Sequence, residues 1–183
     1  MDKQHIRNRI KEERSHLSPE FVSEKSQQVY ERLIALPQLE QADCVLTYAD
    51  FSNEIQTGAV TGWLLYHGKK VCLPVIEDHT MYAVRYAGAP LSQGSFGIEE
   101  PHFDRQEVVN PAVISVVLCP GVAFSREKAR IGFGKGYYDR FLAQAPQAFK
   151  IGLAYDFQVL ASVESGPHDI PMNMIVTPEF VLS

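Results

Sequence analysis

The sequence predicts a single-domain, three-layer α/β/α fold, Rossmann-like, with a mostly parallel central sheet. Segments of helical composition alternate with short apolar segments along the chain. These apolar segments are continuous rather than alternating between apolar and polar residues, which is typical of strands covered on both faces. A length of 183 residues suits one domain with a substantial core, so we expect residues 1–183 to form a single domain.

Two helices are predicted before the first strand. Residues 2–16 are rich in helix-forming residues and contain no Gly or Pro. Ser18 and Pro19 are typical of a helix N-cap and of the first helical position, so a second helix should run from there to about residue 35. Its predicted apolar anchors are Phe21, Val29, Leu33 and Ile34.

The rest of the chain supplies the strands and two further helices. We expect helices over residues 56–67 and 137–144, and loops over the Gly- and Pro-rich residues 87–111. Strands are predicted over residues 44–48, 70–75, 81–86, 113–119, 150–154 and 174–176. The run 113–119 is the most apolar and should be central. Ligands of such sheets bind beyond the C-terminal ends of strands, so the segments after residues 48 and 119 are the expected site.

Composition excludes several classes of function. The net charge of −5, with 21% charged residues, argues against a general nucleic-acid binder. No apolar run approaches the ~20 residues needed to cross a bilayer, and the charged N-terminus lacks a signal-peptide core. We therefore expect a cytoplasmic protein with neither a membrane nor a nucleic-acid partner. We also expect a monomer, although composition does not decide the oligomeric state. The three cysteines lie far apart in apolar segments and are predicted to be buried free thiols: Cys44, Cys72 and Cys119.

The most informative segment is residues 120–142, PGVAFSREKARIGFGKGYYDRFL. It has glycines at three alternate positions, Gly132, Gly134 and Gly136, and residues 126–140 hold five cations and two acids within an acidic chain. Glycines allow backbone N–H groups to surround phosphate oxygens, cations neutralise the charge, and a helix starting near Tyr137 would add its positive end. The spacing fits neither a P-loop nor the dinucleotide fingerprint, and GxGxG alone indicates only a tight loop. Its setting between a strand and a helix favours a phosphate site.

A cationic stripe follows one face of the N-terminal helix. Its members are spaced by four, four and three residues: Lys3, Arg7, Lys11 and Arg14. Like charges at this spacing cost some helix stability, so the stripe would suit an anionic partner. The alternative is a solvated face that is balanced by Glu12 and Glu13.

Three acidic residues have two interpretations each. Glu54 follows a predicted strand and could accept hydrogen bonds from a heterocycle, or it could complement the dipole of the next helix. Asp139, at the end of the glycine loop, and Asp169 could bind magnesium beside a phosphate. Otherwise Asp139 would cap a helix or pair with Arg140, and Asp169 would be a turn residue. Tyr138, like Tyr137, could stack on an aromatic ligand or pack at the edge of the core.

These segments strongly resemble the 5-formyltetrahydrofolate cyclo-ligase family, also called the 5,10-methenyltetrahydrofolate synthetases. The resemblance is carried by PGVAF at 120–124 and RIGFGKGYYDR at 130–140. Further similar segments occur in order along the chain: K-x-x-x-R at Lys3 and Arg7, NEIQT at 53–57, GKKVCLP at 68–74, GIEEP at 97–101 and IVTPE at 175–179. They cover most of the 183 residues and are far more specific than a lone glycine loop.

The resemblance implies an ATP- and Mg²⁺-dependent enzyme. It would cyclise 5-formyltetrahydrofolate to 5,10-methenyltetrahydrofolate and release ADP and phosphate, through a phosphorylated formyl intermediate. Such chemistry needs alignment and charge screening, which loop amides, cations and magnesium can supply.

The resemblance also implies roles for individual residues. ATP would contact Lys3, Arg7, Arg130, Ile131, Gly132, Phe133, Gly134, Lys135, Gly136, Tyr137 and Tyr138. The folate would contact Glu54, Phe133, Gly134, Lys135, Gly136 and Tyr137. The catalytic residues would be Arg130, Lys135 and Tyr137, with Lys135 nearest the transferred phosphoryl group, and the magnesium ligands would be Asp139 and Asp169.

Two positions depart from the family pattern, and two other functions compete. Phe133 stands where a polar or different aromatic residue is common, and Asn173 where a second acidic residue is common. A sugar-phosphate isomerase or CoA transferase of similar shape would leave the cationic stripe without a role. A non-catalytic folate- or nucleotide-binding relative would lack Lys135, Glu54 or Asp139, and all three are present.

Overall fold

A computed structural model describes residues 2–94 and 97–183. The helices are α1 (Lys3–Ser15), α2 (Pro19–Ile34), α3 (Pro37–Glu40), α4 (Gly58–Tyr66) and α5 (Tyr137–Leu142). The strands are β1 (Cys44–Leu46), β2 (Lys70–Glu77), β3 (Thr80–Tyr86), β4 (Ser92–Gln93), β5 (Glu99–Glu100), β6 (Val116–Cys119), β7 (Ala123–Ser125), β8 (Arg130–Ile131), β9 (Phe149–Leu153), β10 (Val159–Leu160), β11 (Met174–Val176) and β12 (Val181–Leu182). Short 3-10 helices occupy Arg105–Glu107, Pro111–Val113 and Asp156–Gln158.

The central sheet has the order β12-β11-β9-β6-β1-β2-β3. Its inner strands are parallel, and the edge strands β12 and β3 are antiparallel to their neighbours. The chain leaves β1 towards β2 and later returns on the other side to form β6. The strand order therefore reverses between β1 and β6, which is where open α/β sheets bind their ligands.

Both faces of the sheet are covered, as continuous apolar strands require. One face packs against α2, α3 and α4, in a core that includes Val29, Leu33 and Leu64. The other face packs against α5 and the short strand β7, and here Phe124 and Phe141 are buried. The predicted α/β fold with a mostly parallel sheet is confirmed, although the second covering layer holds only one short helix.

The predicted elements match the structure closely, with a few corrections. Ser18 Oγ accepts the N–H of Phe21 and caps α2, as expected. Phe21 itself is 37% exposed and is not an anchor, because the neighbouring Val22 is the side chain that turns inward. The most apolar strand begins at Val116 rather than at residue 113, since Asn110 caps a 3-10 turn over the preceding residues.

A second, three-stranded sheet is formed by segments for which the sequence predicts no strand. β7 and β8 form an antiparallel hairpin, and β10 joins β7 in parallel. Strands of two or three residues are too short to leave a periodic pattern. The three cysteines are buried and free, as expected. In the described part of the chain, no helix is both long and apolar enough to cross a membrane.

Candidate active site

A cavity of about 390 Å³ lies at the reversal point of the central sheet. Its floor includes Tyr48 and Ala49, which follow β1, and Pro120, which follows β6. Apolar walls come from the β2–β3 hairpin, including Ile76 and Met81. A concave site of this size with a few polar groups is typical of small-molecule binding.

All the residues predicted to bind or act on a ligand line this one cavity. They are Lys3, Arg7, Glu54, Arg130, Ile131, Gly132, Phe133, Gly134, Lys135, Gly136, Tyr137, Tyr138, Asp139 and Asp169. They come from four separated parts of the chain: α1, the loop after β1, the segment from β8 to α5, and the loop before β11. The fold thus brings together residues up to 166 positions apart, such as Lys3 and Asp169.

The cations of the cavity come from two parts of the chain, whereas the sequence predicts that most come from residues 126–140. Of the five cations in residues 126–140, only Arg130 and Lys135 line it, and the other two lining cations come from α1. Lys3 forms an ion pair with Asp169, and Arg130 Nη2 lies 3.1 Å from Asp139 Oδ2. Two of the cations are therefore held in place by carboxylates, while the exposed Lys135 makes no ion pair with any described residue.

The glycine loop is held in shape by backbone geometry and by α1. Gly134 and Gly136 have φ of 99° and 68°, which non-glycine residues rarely adopt. A Cβ at Gly132 would lie 2.8 Å from Arg130 Nη1. Arg7 Nε donates to the carbonyl of Gly132 at 2.9 Å, so the N-terminal helix is fastened directly to the loop. The helix α5 that follows the loop has six residues, so its dipole is a small contribution.

The cationic stripe of α1 faces the protein, so the solvated-face alternative is wrong for most of it. Besides Lys3 and Arg7, Lys11 Nζ lies 5.1 Å from the ring centroid of Phe133. Arg14 is 1% exposed. Phe133, one of the two departures from the family pattern, also packs on Phe51, with ring centroids 5.2 Å apart. Its contacts are therefore stacking contacts, as expected.

Glu54 is buried against the cavity rather than at a helix start. It lies four residues before α4 and is 4% exposed. Arg14 Nη1 is 3.9 Å from Glu54 Oε1, too far for a hydrogen bond, and neither atom has any hydrogen-bond partner. Burial raises the pKa of Glu54 to about 8, since the Arg14 charge and the bond from the Phe51 N–H offset only part of the desolvation.

Other polar atoms at the cavity also lack partners. Arg130 Nε and the hydroxyl of Tyr138 are buried without a hydrogen bond, although Arg130 lies over the Tyr138 ring, 5.3 Å from its centroid. Burial raises the pKa of Tyr138, so its hydroxyl remains protonated. Unsatisfied buried polar groups are rare in proteins, and their concentration here indicates atoms that a ligand would satisfy. Tyr137 and Tyr138 also pack against the core, as the second interpretation expects, and both line the cavity.

Asp139 and Asp169 lie on the cavity with most of their oxygens already bonded. Asp139 pairs with Arg130 rather than with Arg140, and its Oδ1 accepts the N–H of Ile170 at 3.3 Å. Asp169 Oδ2 accepts from Lys3 and from the N–H of Gly166. Burial opposes ionisation of Asp169, but these bonds and the Lys3 charge outweigh it, so its pKa is lowered.

The two carboxylates fit a magnesium ion that a phosphate also binds. Within residues 2–94 and 97–183, no three His, Cys, Asp or Glu side chains gather into a metal site. Magnesium needs only one or two carboxylates when phosphate oxygens and waters complete its shell, and carboxylate oxygens have lone pairs beyond those used here. Asn173 takes no part, because its Oδ1 accepts the N–H of Lys150 at 2.8 Å and extends the pairing of β9 and β11.

Several cavity residues were not predicted from the sequence. Tyr48 and Pro120 follow strands at the reversal point, and the rule for strand ends would have found them. The apolar walls at Pro74, Ile76, Met81 and Ile98 carry no motif. Arg14 was visible only as one member of the stripe.

Comparisons with known proteins show the family to which this chain belongs. Residues 1–178 match the sequence profile of the 5-formyltetrahydrofolate cyclo-ligase family. The 5-formyltetrahydrofolate cyclo-ligases of Haemophilus influenzae and Escherichia coli are both 31% identical to this chain, over 93% and 94% of it and over 94% and 98% of their own lengths.

Solved structures show the same relationship. The 5,10-methenyltetrahydrofolate synthetase of Aquifex aeolicus is 35% identical and superposes with a TM-score of 0.88 over 99% of this chain and 92% of its own. The 5,10-methenyltetrahydrofolate synthetase of Mycoplasma pneumoniae is 27% identical, with a TM-score of 0.79 over 97% of this chain and 99% of its own. The chain is therefore an enzyme of the 5-formyltetrahydrofolate cyclo-ligase family.

Proposed function

We propose that this enzyme uses ATP and Mg²⁺ to convert 5-formyltetrahydrofolate into 5,10-methenyltetrahydrofolate, ADP and phosphate, with a phosphorylated formyl group as intermediate. The observation that carries the proposal is the cavity at the sheet reversal. It combines a phosphate-type loop and four cations with a buried carboxylate suited to a heterocycle.

The first step is transfer of the γ-phosphoryl group of ATP. The formyl oxygen attacks the γ-phosphorus, the bond from phosphorus to the ADP oxygen breaks, and the formyl carbon becomes an activated imidate-like centre. Such a transfer depends mainly on alignment and charge stabilisation. Lys3, Arg7 and the N–H groups of the glycine loop would bind the phosphates, and Arg130 and Lys135 would stabilise the charge on the moving group.

Asp139 and Asp169 would hold Mg²⁺ between the protein and the phosphates. When bound, the ion would neutralise charge on the phosphate oxygens. The ion pairs of these carboxylates with Lys3 and Arg130 hold the two cations at the cavity and offset part of the repulsion among its cations before ATP enters.

The second step closes the ring. N10 of the folate attacks the activated carbon, a C–N bond forms, and the C–O bond breaks so that phosphate leaves with the former formyl oxygen. The proton of N10 is released to solvent or to the departing phosphate. Glu54 would hold the pterin by its N–H donors, and Phe133 and Tyr137 would contact the folate, which keeps N10 near the carbon it attacks.

A direct assay tests the overall reaction. The purified protein is mixed with 5-formyltetrahydrofolate, ATP and Mg²⁺, and the near-ultraviolet absorption band of methenyltetrahydrofolate is followed. The band should form only in the complete mixture and not without ATP or with a chelator. Absence of the band with folded protein would contradict the proposal. Formation of the band without ATP would show that the reaction does not use the nucleotide.

An isotope experiment tests the intermediate separately. Substrate carrying ¹⁸O in the formyl group should transfer that oxygen to inorganic phosphate, because the phosphate leaves with it. Phosphate without ¹⁸O, at the same turnover, would show that water or another group attacks ATP, and the phosphorylated formyl intermediate would then be excluded.

A further inference from the structure

Arg14 is buried behind the cavity and does not line it, although it lies beside the Glu54 carboxylate that does. Its Nε donates to the carbonyl of Ser52 at 3.0 Å, and its Nη2 donates to the carbonyls of Ser52 and Phe51. In return, the side-chain amide of Asn53 donates to the carbonyl of Arg14 at 2.8 Å. Two nitrogens of the guanidinium donate to this turn and the third faces Glu54, and Lys cannot reproduce that fork.

The turn to which Arg14 donates these hydrogen bonds has unfavourable backbone dihedral angles. Ser52 and Asn53 have φ of 52° and 55°, and two consecutive non-glycine residues in this region need outside support. A second support comes from the other side, where the hydroxyl of Tyr155 donates to the carbonyls of Asn53 and Glu54. The turn leads directly into Glu54, so its shape decides where the carboxylate lies.

One nitrogen of the guanidinium, Nη1, makes no hydrogen bond to any described residue and faces the carboxyl group of Glu54. Nη1 of Arg14 and Oε1 of Glu54 are buried 3.9 Å apart, and neither has a hydrogen-bond partner. Adjacent buried polar atoms without partners are costly in a protein interior unless a bound state uses them.

We propose that Arg14 is the positioning residue of the folate site: it fixes the turn before Glu54 and holds a cation beside the carboxylate that receives the pterin. This inference rests on the proposed function of Glu54. When N–H donors of the ligand reach Glu54, its carboxyl group releases its proton to solvent and becomes the anion that Arg14 Nη1 faces. Arg14 acts through Glu54 and does not touch the substrate.

The environment of Glu54 explains why it needs this cation. The groups that interact electrostatically with it are Arg14 on α1, Asp50 on its own loop, Tyr48 after β1, Tyr138 on α5 and Tyr155 after β9. Among these only Arg14 is positive. Asp50 disfavours the Glu54 anion, and the neutral tyrosine hydroxyls leave its charge uncompensated. We therefore expect removal of Arg14 to raise the pKa of Glu54 above about 8.

The test measures binding of 5-formyltetrahydrofolate by titration calorimetry between pH 6 and 9, with and without a non-hydrolysable ATP analogue. The proteins are the wild type, R14K, R14M, E54Q and the double variant E54Q/R14M. We expect R14M to weaken folate binding about tenfold or more at pH 7 and to move its pH dependence upward by about one pH unit. ATP-analogue binding should change less than twofold. R14K should retain the pH dependence, because the charge remains, with a smaller loss of affinity.

The double variant separates positioning from general stability. With no titrating carboxylate at position 54, R14M should not shift the pH dependence of folate binding further. The proposal is overturned if R14M weakens folate and nucleotide binding equally, or if its effect is as large in E54Q as in the wild type. If R14M does not fold, R14K decides: an unchanged affinity across the pH range would refute the role. Normal folate binding by E54Q would instead refute the proposed role of Glu54.

Discussion

At the scale of single residues, the ionisation of Glu54 is coupled to the stability of the protein. Its pKa is about 8 in the folded protein, against 4.5 for an ordinary glutamate. At pH values between about 4.5 and 8, Glu54 is protonated in the folded protein and ionised in the unfolded chain, so unfolding releases its proton. The free energy of unfolding contributed by this group therefore falls as pH rises from about 4.5 to about 8.

Glu54→Gln should remove this fall in the free energy of unfolding at high pH. At pH 5 the amide resembles the protonated acid, and the unfolding free energy should change little. At pH 8 the variant should be more stable than the wild type by roughly 2–4 kcal/mol, measured by urea denaturation at the two pH values. Glu12→Gln, at an exposed position on α1, is the matched control and should show no such difference. A stability gain that is equal at both pH values would contradict the assigned pKa.

Lys135 is an exposed cation at the cavity that no described carboxylate neutralises. It is exposed at the cavity and has no ion pair with the described residues, whereas Lys3 and Arg130 are paired. Lys135→Ala should lower kcat by about 10²–10³-fold while folate binding changes only a few-fold, since the charge acts on the transferring phosphoryl group. Arg126→Ala, at an exposed cation of the same segment, is the control and should leave kcat within about twofold. Equal losses in kcat and folate binding would undo the role.

At the scale of elements, the hairpin β7–β8 sets the position of the glycine loop. Its central side chain, Phe124, is fully buried against two glycines. A Cβ at Gly152 on β9 would lie 2.5 Å from the Phe124 ring, and one at Gly121 would also lie 2.5 Å from it. The ring thus fixes the hairpin against the central sheet through a contact that only glycine allows.

Gly152→Ala should therefore destabilise the protein by about 1–3 kcal/mol, because Phe124 has no free space into which to move. Gly62→Ala on α4 provides the contrast, since its Cβ would meet nothing within 4 Å. That change should stabilise the protein by about 0.5–1 kcal/mol through helix propensity. Chemical denaturation of both variants measures the difference, and a neutral Gly152→Ala would show that the contact is not tight.

At the scale of the whole molecule, the cavity joins the N-terminal helix to the centre of the sheet. Arg7 binds the loop, Lys3 binds Asp169 near the C-terminal strands, and Arg14 binds the turn after β1. A ligand that contacts these parts together should raise the unfolding temperature of the entire protein, since it binds only the folded state.

ATP at a hundredfold excess over its Kd should stabilise the protein by about 2.7 kcal/mol, which corresponds to a rise of roughly 5–10 °C in Tm. A chelator should reduce this rise, because Mg²⁺ would bind between phosphate and carboxylates. Lys3→Ala should reduce it too, while the rise caused by 5-formyltetrahydrofolate alone should persist. A full ATP-dependent shift in the presence of chelator would argue against Mg²⁺ at Asp139 and Asp169.

The sequence alone determined the class of fold, most of the helices and strands, and, through the family resemblance, many of the residues that line the cavity. It could do so because these features depend on local composition and on contiguous motifs, such as residues 130–140. The rule for strand ends also located the site, since parallel strands present their C-terminal ends on one edge.

Only the tertiary structure decided which charges meet. Lys3 and Asp169 are 166 positions apart, Asp139 pairs with Arg130 rather than with its neighbour Arg140, and Arg14 lies behind Glu54. No periodicity encodes such pairs, because they depend on how the loops after β1, β6 and β9 fold over one edge of the sheet. The burial that raises the pKa of Glu54 is likewise a property of the packed molecule, since desolvation arises from atoms distant in the chain.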